Sequence, residues 1–199
     1  MGAIVIDNKR DSMPKVKDRF SVIERYVKGK DVLDLGCINH DAGEEARLDW
    51  LHGFIEKRAK SVTGVDYLQK EVAKLRKKGH NILCANVETM RLGKRYDVVV
   101  AGELIEHLDN VGLFLDRVAA HLKRGGVFIV TTPNAFSLRH ILRSVLFGTV
   151  PTNTEHTCLF CPKTLKNIVE RHGFRVAERY FYFDDTTTGK SKVERLLCL

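Results

Sequence analysis

The sequence predicts an α/β fold, with a doubly wound, mostly parallel sheet of seven strands and helices on both faces. Short runs of apolar and β-branched residues alternate along the chain with longer segments whose apolar residues recur at helical spacing. Several of the short runs end at a glycine or an acid, which is typical of parallel strands that present loops to a ligand. The 199 residues suffice for one core, so we expect a single domain over residues 1–199.

Composition narrows the class of protein. The chain has 33 Lys and Arg against 25 Asp and Glu, a net charge of +8 that is spread along the sequence. This excess is common on ordinary protein surfaces, so a nucleic-acid partner is compatible with it but not favoured. No apolar run is long enough for a transmembrane segment, and no secretory signal is visible, so we expect a cytoplasmic protein. The five scattered cysteines predict reduced thiols and no structural zinc.

The first strand is predicted at residues 31–37, a short apolar run that ends at Gly36. In open α/β sheets ligands bind beyond the carboxyl ends of the strands, and glycine lets the backbone approach them closely. Asp34 and Gly36 are therefore predicted at a ligand site. Residues 1–30 carry apolar side chains at helical spacing after Pro14, which predicts a helical cap over a sheet edge or over the mouth of this site.

The second strand, predicted at residues 61–66, ends in Asp66, one strand–helix–strand unit after the first. A carboxylate at this position can accept both hydrogen bonds of a ribose diol, and the alternative is that it caps a helix beginning near Leu68. Because Asp66 occurs together with the glycine after the first strand, we favour the interpretation that it binds a ribose diol. The intervening helix is predicted within residues 44–60 and contains His52, which we expect to be packed or exposed rather than catalytic.

The remaining elements continue the alternation. Helices are predicted to end at Gly79, to span residues 111–123 and to span residues 162–172. Strands are predicted at residues 81–84, 97–101, 127–132, 174–183 and 193–199. Residues 135–161 interrupt this rhythm with a largely apolar segment, which predicts either a lid over the substrate or a packed helix.

Six segments of the chain carry a family resemblance when they are taken together and in order. They are VLDLGC at residues 32–37, GVD at 64–66, NVE at 86–88, VAGELIEHL at 100–108, LKRGG at 122–126 and TTPN at 131–134. This ordered set resembles the class I S-adenosylmethionine (SAM)-dependent methyltransferases. One departure is that Ile38 stands where the family usually has a second glycine, which predicts a longer or differently shaped cofactor loop, or a lower SAM affinity.

The resemblance implies SAM as cofactor and assigns residues to its parts. The Gly36 loop with Cys37, which lies in front of Asp34, would approach the amino acid part of SAM, and Asp66 would hold the ribose hydroxyls. Asn86 and Val87 would contact adenine. The methionine end would be bordered by Ala101, Gly102 and Glu103.

The run from Glu103 to His107 also suggests a metal. Glu103, Glu106 and His107 would converge on one side of a helical turn, and two carboxylates with an imidazole suit a divalent cation. This run resembles the small-RNA 3′-end methyltransferases and the ubiquinone-biosynthesis O-methyltransferases, which implies Mg²⁺ or Mn²⁺. In the RNA enzymes a further His completes the set, and His156 is the candidate here. The alternative, that Glu106 and His107 are structural, is slightly favoured. His107 or His156 is also the predicted general base.

The leading hypothesis is a SAM-dependent enzyme that methylates an oxygen, or less readily a nitrogen, of a small-molecule, lipid or glycan acceptor. Residues 155–160, 164–165 and 173–174 resemble methyltransferases of such pathways. One alternative is a metal-assisted RNA 3′-end methyltransferase. Another is a protein with the SAM-binding fold that binds a ligand or partner without catalysis.

Overall fold

The computed structural model describes residues 15–16, 18–39, 43, 50–149, 153–184 and 193–198. Eight strands in this part of the chain form one sheet, in the order β1-β7-β8-β6-β5-β2-β3-β4. The strands are β1 (Lys15–Val16), β2 (Asp31–Leu35), β3 (Ser61–Asp66), β4 (Ile82–Cys84), β5 (Tyr96–Gly102), β6 (Leu122–Pro133), β7 (Arg179–Asp184) and β8 (Val193–Cys198).

The sheet confirms the predicted doubly wound, mostly parallel architecture. Five neighbouring strands, β6, β5, β2, β3 and β4, all run parallel, whereas β8 is antiparallel to both β6 and β7. The predicted number of seven strands is wrong, because the short β1 adds an eighth beside β7. A strand of two residues has no periodicity to reveal it, and β1 lies within residues 1–30, for which the apolar spacing predicts a helical cap.

Six helices and one 3₁₀ turn connect the strands in the described residues. They are α1 (Arg19–Val27), α2 (Leu51–Glu56), α3 (Gln69–Lys77), the 3₁₀ turn Ile105–His107, α4 (Val111–His121), α5 (Leu138–Phe147) and α6 (Pro162–Arg171). None of these helices combines the length and apolarity that crossing a membrane requires. Of the helix predicted at residues 44–60, residues 44–49 lie outside the described part.

Two predicted boundaries move for local reasons. The first helix begins at Arg19, because the Asp18 carboxylate accepts a hydrogen bond from the N–H of Ser21 (2.8 Å) and caps the first turn. The fourth helix was expected to continue to Lys123, but it ends at His121. Leu122 pairs instead with Tyr96 of β5, so that β6 begins five residues before its predicted start at residue 127.

Helices cover both faces of the sheet because successive strand residues point to opposite sides. One core contains Leu33, Leu35, Val99 and Ala101 from the strands, Phe114 and Val118 from α4, and Leu165 and Val169 from α6. The other contains Val32, Val98, Val100 and Ile129, with Val22, Ile23 and Val27 from α1 and Leu51 and Ile55 from α2. This packing fixes the carboxyl ends of the parallel strands at one edge, where the candidate site lies.

Candidate active site

The carboxyl ends of β2, β3, β5 and β6 meet at the same edge of the sheet. Asp34 is in register with Gly64 of β3 and with Val100 of β5, and Gly102 is in register with Thr131 of β6. The structure therefore brings the predicted cofactor residues to one edge: Asp34, Gly36, Cys37, Asp66, Ala101, Gly102 and Glu103.

Gly36 forms the turn that leaves β2. Its φ of 66° lies in the left-handed region, and its N–H donates a hydrogen bond to the carbonyl of Val65 (2.9 Å). A Cβ at this position would lie 2.8 Å from Cδ1 of Leu104. Both the backbone conformation and the close neighbour therefore favour glycine here.

A chain of acids and imidazoles begins directly behind this turn. Asp34 and His52 are each 1% exposed, and His52 Nδ1 lies 2.9 Å from Asp34 Oδ2. On its other side His52 Nε2 lies 3.4 Å from a Glu56 oxygen, and the second Glu56 oxygen lies 2.9 Å from His80 Nδ1. Burial opposes protonation of His52, but the hydrogen bond to Asp34 and the Glu56 carboxylate outweigh it and raise the pKa of His52 to about 9. A buried imidazolium therefore lies between two carboxylates at neutral pH.

Neighbouring residues hold this imidazole in place. The Trp50 ring packs against His52 and His80, with centroids 5.4 and 5.1 Å away, and Trp50 Nε1 donates a hydrogen bond to the Cys37 carbonyl (2.9 Å). A Cβ on Gly64 would lie 2.7 Å from Cys37 Sγ and 2.8 Å from His52 Cε1. The sequence left open whether His52 is packed or exposed, and the structure shows it packed. Its ion pair was missed because no spacing rule links a helix residue to the preceding strand.

Asp66 joins two parts of the site. Its Oδ2 accepts a hydrogen bond from the N–H of Ile38 (3.1 Å) in the Gly36 loop, and its Oδ1 accepts one from the N–H of Leu68 (3.0 Å) before α3. Burial raises the pKa of Asp66, and these N–H groups oppose the rise. The bond to Leu68 reaches the residue before α3, but α3 receives no side-chain cap, so the capping alternative is not confirmed. Since a carboxylate oxygen can accept more than one hydrogen bond, the ribose role stays a prediction.

The predicted adenine residues follow β4 and lie next to Asp66. The N–H of Ala85 donates a hydrogen bond to the Asp66 carbonyl (3.0 Å), which places Asn86 beside the end of β3. Asn86 is exposed, and its Oδ1 accepts a hydrogen bond from the N–H of Glu88 (2.7 Å). Val87 is 7% exposed and belongs to the core. Their role toward adenine also stays a prediction.

Glu103 adopts an unusual backbone conformation after β5. Its φ of 54° is positive, which no other non-glycine residue in the described part of the chain shows. Its N–H donates to the carbonyl (3.0 Å) and to Oγ1 (3.1 Å) of Thr131, and its Oε1 accepts a hydrogen bond from the Tyr182 hydroxyl (2.8 Å). The side chain is therefore engaged with β7.

Three of the four predicted metal ligands converge. Donor atoms of Glu106, His107 and His156 all lie within 4.8 Å of one another, whereas Glu103 is not part of this cluster. Glu106 is 1% exposed and accepts a hydrogen bond from the Thr132 hydroxyl (3.0 Å). Burial raises the pKa of Glu106 to about 7, although the Thr132 hydroxyl favours the ionised form.

The cluster is fixed by the chain segment that carries His156. The N–H and hydroxyl of Thr157 donate hydrogen bonds to the Glu106 carbonyl (2.9 and 3.1 Å), and the rings of His107 and His156 lie perpendicular with centroids 4.7 Å apart. Burial and the charge of His107 lower the pKa of His156. Its buried Nδ1 has no hydrogen-bond partner within the described residues. Two imidazoles, one of them with an unpaired nitrogen, and a carboxylate fit a divalent cation.

Two further residues of this region were missed in the sequence. Arg19, the first residue of α1, places Nη1 3.6 Å from where a Cβ of Gly102 would stand, and its charge favours ionised Glu106. His140 of α5 is 8% exposed, and its charge lowers the pKa of His156. A single arginine or histidine on a helix gives no signal in the sequence that it reaches a site on another element.

The segment predicted as a lid or packed helix contains α5, and most of the large apolar side chains there face solvent. Phe136 is 66% exposed, Val145 77%, Leu146 66% and Phe147 70%, while Ile141 and Leu142 are 44% and 48% exposed. His140 lies on the side of α5 that is nearer to the Glu106 cluster. This segment therefore presents an apolar surface next to the candidate site. We call the six exposed residues, five from α5 and Phe136 just before it, the α5 apolar face.

Comparison with known proteins agrees with these motifs. The model of a methyltransferase domain family matches residues 8–179. The chain is 30% identical over 181 residues to a ubiquinone biosynthesis O-methyltransferase from Nitrobacter winogradskyi, covering 85% of this chain and 66% of that protein. It is also 30% identical over 159 residues to the protein of the same name from Rickettsia canadensis, covering 74% and 64%. The chain thus spans just under two thirds of the length of these curated relatives.

Solved structures share the fold. A SAM-dependent methyltransferase from Archaeoglobus fulgidus superposes with a TM-score of 0.62 at 18% identity, covering 90% of each chain. The magnesium protoporphyrin IX methyltransferase from Synechocystis PCC 6803, solved with bound SAH, gives a TM-score of 0.60 at 18% identity, covering 89% of this chain and 77% of that one. Since the family model covers most of the chain and the ordered motifs agree with it, the chain belongs to the class I SAM-dependent methyltransferase family.

Proposed function

We propose that this protein transfers the methyl group of SAM to an oxygen of a small-molecule acceptor that carries an apolar part. The observation that carries the proposal is the cluster of Glu106, His107 and His156 at the sheet edge that holds the predicted SAM residues. An imidazole beside a carboxylate suits the removal of a proton from a hydroxyl. The two curated relatives, which are named as O-methyltransferases, support oxygen as the acceptor atom.

SAM would supply a methyl group that is already activated by its bond to a positively charged sulfur. The residues that would hold it are the Gly36 loop for its amino acid part, Asp66 for the ribose, Asn86 and Val87 for adenine, and residues 101–103 for the methionine end. The positive φ of Gly36 and the position of Asp66 beside this loop fit that arrangement. The remaining task for the protein is to hold the acceptor oxygen in line with the methyl group.

We infer that His156 is the general base and that His107 positions it. A lowered pKa leaves His156 neutral at physiological pH, so its imidazole can accept the proton of the acceptor hydroxyl. With SAM bound, the methyl carbon would exchange its bond to sulfur for a bond to the acceptor oxygen, and the electron pair of the broken bond would stay on sulfur. His107 lies perpendicular to His156 and restricts the orientation of that ring.

In an alternative use of the same cluster, Glu106, His107 and His156 would hold a divalent cation such as Mg²⁺ or Mn²⁺, which would lower the pKa of the acceptor hydroxyl in place of a base at His156. The unpaired Nδ1 of His156 and the closeness of the donor atoms support this use of the cluster. Glu103, predicted as a fourth ligand, bonds to Tyr182 instead, so we assign it to the loop after β5 rather than to the metal.

The α5 apolar face favours a lipid-like acceptor over a glycan. Exposed apolar surface of this extent commonly marks a binding surface, and His140 of the same helix lies near His156. We therefore propose that the apolar part of the acceptor lies along α5 while its hydroxyl reaches His156. An RNA 3′ end is the second candidate, because the same cluster of possible metal ligands suits it.

Calorimetric titration of SAM tests the cofactor assignment. We expect micromolar binding to the wild type, and at least a roughly tenfold weaker affinity in Asp66→Ala, because the ribose loses a charged hydrogen-bond acceptor. Asp116→Ala is the matched control, since Asp116 is exposed on α4 and pairs with His172. Unchanged SAM affinity in Asp66→Ala would contradict the assigned site, and absence of SAM binding in the wild type would favour a non-catalytic protein with this fold.

Titration of Mn²⁺ tests the metal assignment. We expect binding to the wild type, loss of that binding in Glu106→Gln, and an increase of methyl transfer when Mn²⁺ is added. Gln preserves the hydrogen bond with Thr132, so the fold around β6 should be retained. Methyl transfer that is insensitive to chelators and to added Mn²⁺ would instead assign Glu106 a structural role and leave His156 as the base.

A further inference from the structure

A concave surface at the opposite end of β5 has no part in the site described above. It encloses about 290 Å³ and is lined by Arg91, Leu92, Gly93, Lys94 and Arg95 before β5, and by Arg117, Ala120 and His121 of α4. β5 is seven residues long, so this pocket is roughly 20 Å from the carboxyl ends of the strands. A ligand bound here would not contact the predicted SAM residues.

The pocket concentrates positive charge that the protein does not neutralise. Arg91, Lys94, Arg95 and Arg117 line it, and none of them forms an ion pair within the part of the chain that the structure describes. Five cations elsewhere, Arg25, Arg58, Lys74, Lys123 and Lys166, do have an acidic partner within 4.0 Å.

The walls of the pocket are held together by specific contacts. The N–H of Leu92 donates a hydrogen bond to His121 Nε2 (2.9 Å), and His121 Nδ1 donates one to the carbonyl of Arg117 (2.7 Å). His121 is 5% exposed, so this link between the loop and α4 is shielded from water. Lys94 Nζ lies 4.9 Å from the centroid of the Tyr96 ring, which restricts its side chain. The backbone of the loop is therefore fixed against α4 before any ligand arrives, which reduces the entropy lost on binding.

We propose that this pocket binds a small, soluble, multiply charged phosphate compound. Arginine guanidinium groups match the geometry of phosphate oxygens, and three arginines with one lysine can balance an anion of several charges. The volume of about 290 Å³ suits a compound of the size of pyrophosphate or a small phosphate ester better than a macromolecule. This site is independent of the proposed methyl transfer, so either can fail without the other.

Calorimetric titration of pyrophosphate into the full chain at 0.15 M salt tests the proposal. We expect a Kd below 1 mM for the wild type, and a Kd about tenfold higher in Arg117→Gln and in Arg95→Gln, as loss of one charged hydrogen bond implies. Lys166→Gln is the matched control, because it removes one exposed cation on α6 and changes the net charge equally. Its Kd should equal that of the wild type. Thermal unfolding of each variant checks that the fold is retained, and Arg95, which is exposed, supplies the test if Arg117→Gln does not fold.

Three results would overturn the proposal. The first is absence of pyrophosphate binding at 0.15 M salt. The second is a loss of affinity in Lys166→Gln equal to that in Arg117→Gln and Arg95→Gln. The third is binding of a short single-stranded RNA that depends on Arg95 and Arg117 but is not displaced by pyrophosphate. The second result would mean attraction by net charge alone. The third would assign this surface to nucleic acid.

Discussion

Asp34 and His52 illustrate how one buried pair can support a cofactor loop. The two side chains lie behind Gly36 with their nearest atoms 2.9 Å apart, and both are removed from water. A carboxylate in such surroundings is stable only with a partner, because burial penalises an isolated charge. The second glycine of the family motif is absent here, and Ile38 takes its place with its N–H bonded to Asp66. The loop is therefore held by side chains on both sides.

Replacing His52 tests this pair. We expect His52→Leu to lower the free energy of unfolding by about 3 kcal/mol at pH 6, because Asp34 keeps a buried charge without its partner. The pKa of His52 is raised from 6.5 to about 9 in the folded protein, so its stabilising contribution is complete below pH 6.5 and is lost as the pH rises through about 9. The difference between the wild type and the variant should therefore decrease over that interval in urea unfolding curves.

A second imidazole–carboxylate pair provides the control. His172 and Asp116 also lie 2.8 Å apart, but both are partly or largely exposed, so His172→Leu should cost less than about 1 kcal/mol. Two results would contradict the stability assigned to the Asp34–His52 pair. One is an equal loss of unfolding free energy in His52→Leu and His172→Leu. The other is a loss in His52→Leu that does not vary between pH 6 and pH 9.

The loop after β2 allows a test with two glycines of matched conformation. Gly36 and Gly93 have φ values of 66° and 65°, so alanine should impose a similar strain of about 1 kcal/mol at both positions. Only Gly36 has a close neighbour, Leu104, whereas no atom lies within 4 Å of a Cβ at Gly93. We expect both variants to lose stability but only Gly36→Ala to lose SAM affinity, as measured by calorimetry. A SAM affinity in Gly36→Ala equal to that in Gly93→Ala would contradict the close approach of this loop to SAM.

Much of β2 and of the site around it was predictable from the sequence, and the exceptions have physical causes. The apolar run of β2 and the glycine after it identified the loop, since both signals are local in the sequence. The pairing of Asp34 with His52 was not predictable, because it depends on how α2 packs against β3, where Gly64 leaves room for the imidazole. Convergence of Glu106, His107 and His156 was anticipated, but the separation of Glu103 follows from its positive φ and its contact with Tyr182, which only the folded chain reveals.

Two candidate functional surfaces lie at opposite ends of the parallel strands. The predicted SAM residues and the Glu106 cluster lie at the carboxyl ends of the strands, and the basic pocket lies near the amino end of β5. The α5 apolar face borders the first of these surfaces. The fold and this edge follow from the alternation of strands and helices in the sequence, whereas the exposure of α5 does not, because an amphipathic pattern predicts a buried face. An apolar face that the protein leaves in water requires another explanation.

We explain this exposure by the acceptor, and the double variant Val145→Ser/Phe147→Ser tests it. These side chains are 77% and 70% exposed, so thermal unfolding should be nearly unchanged. If the apolar part of the acceptor lies on α5, KM should rise about tenfold for a long-chain phenolic acceptor and stay constant for its short-chain analogue, because only the former loses buried apolar area. SAM affinity and kcat should not change, since the Glu106 cluster is retained. Leu113→Ser, which changes an exposed residue of α4, is the control. If the wild type and the double variant have equal KM values for the long-chain acceptor, the α5 apolar face does not bind the acceptor.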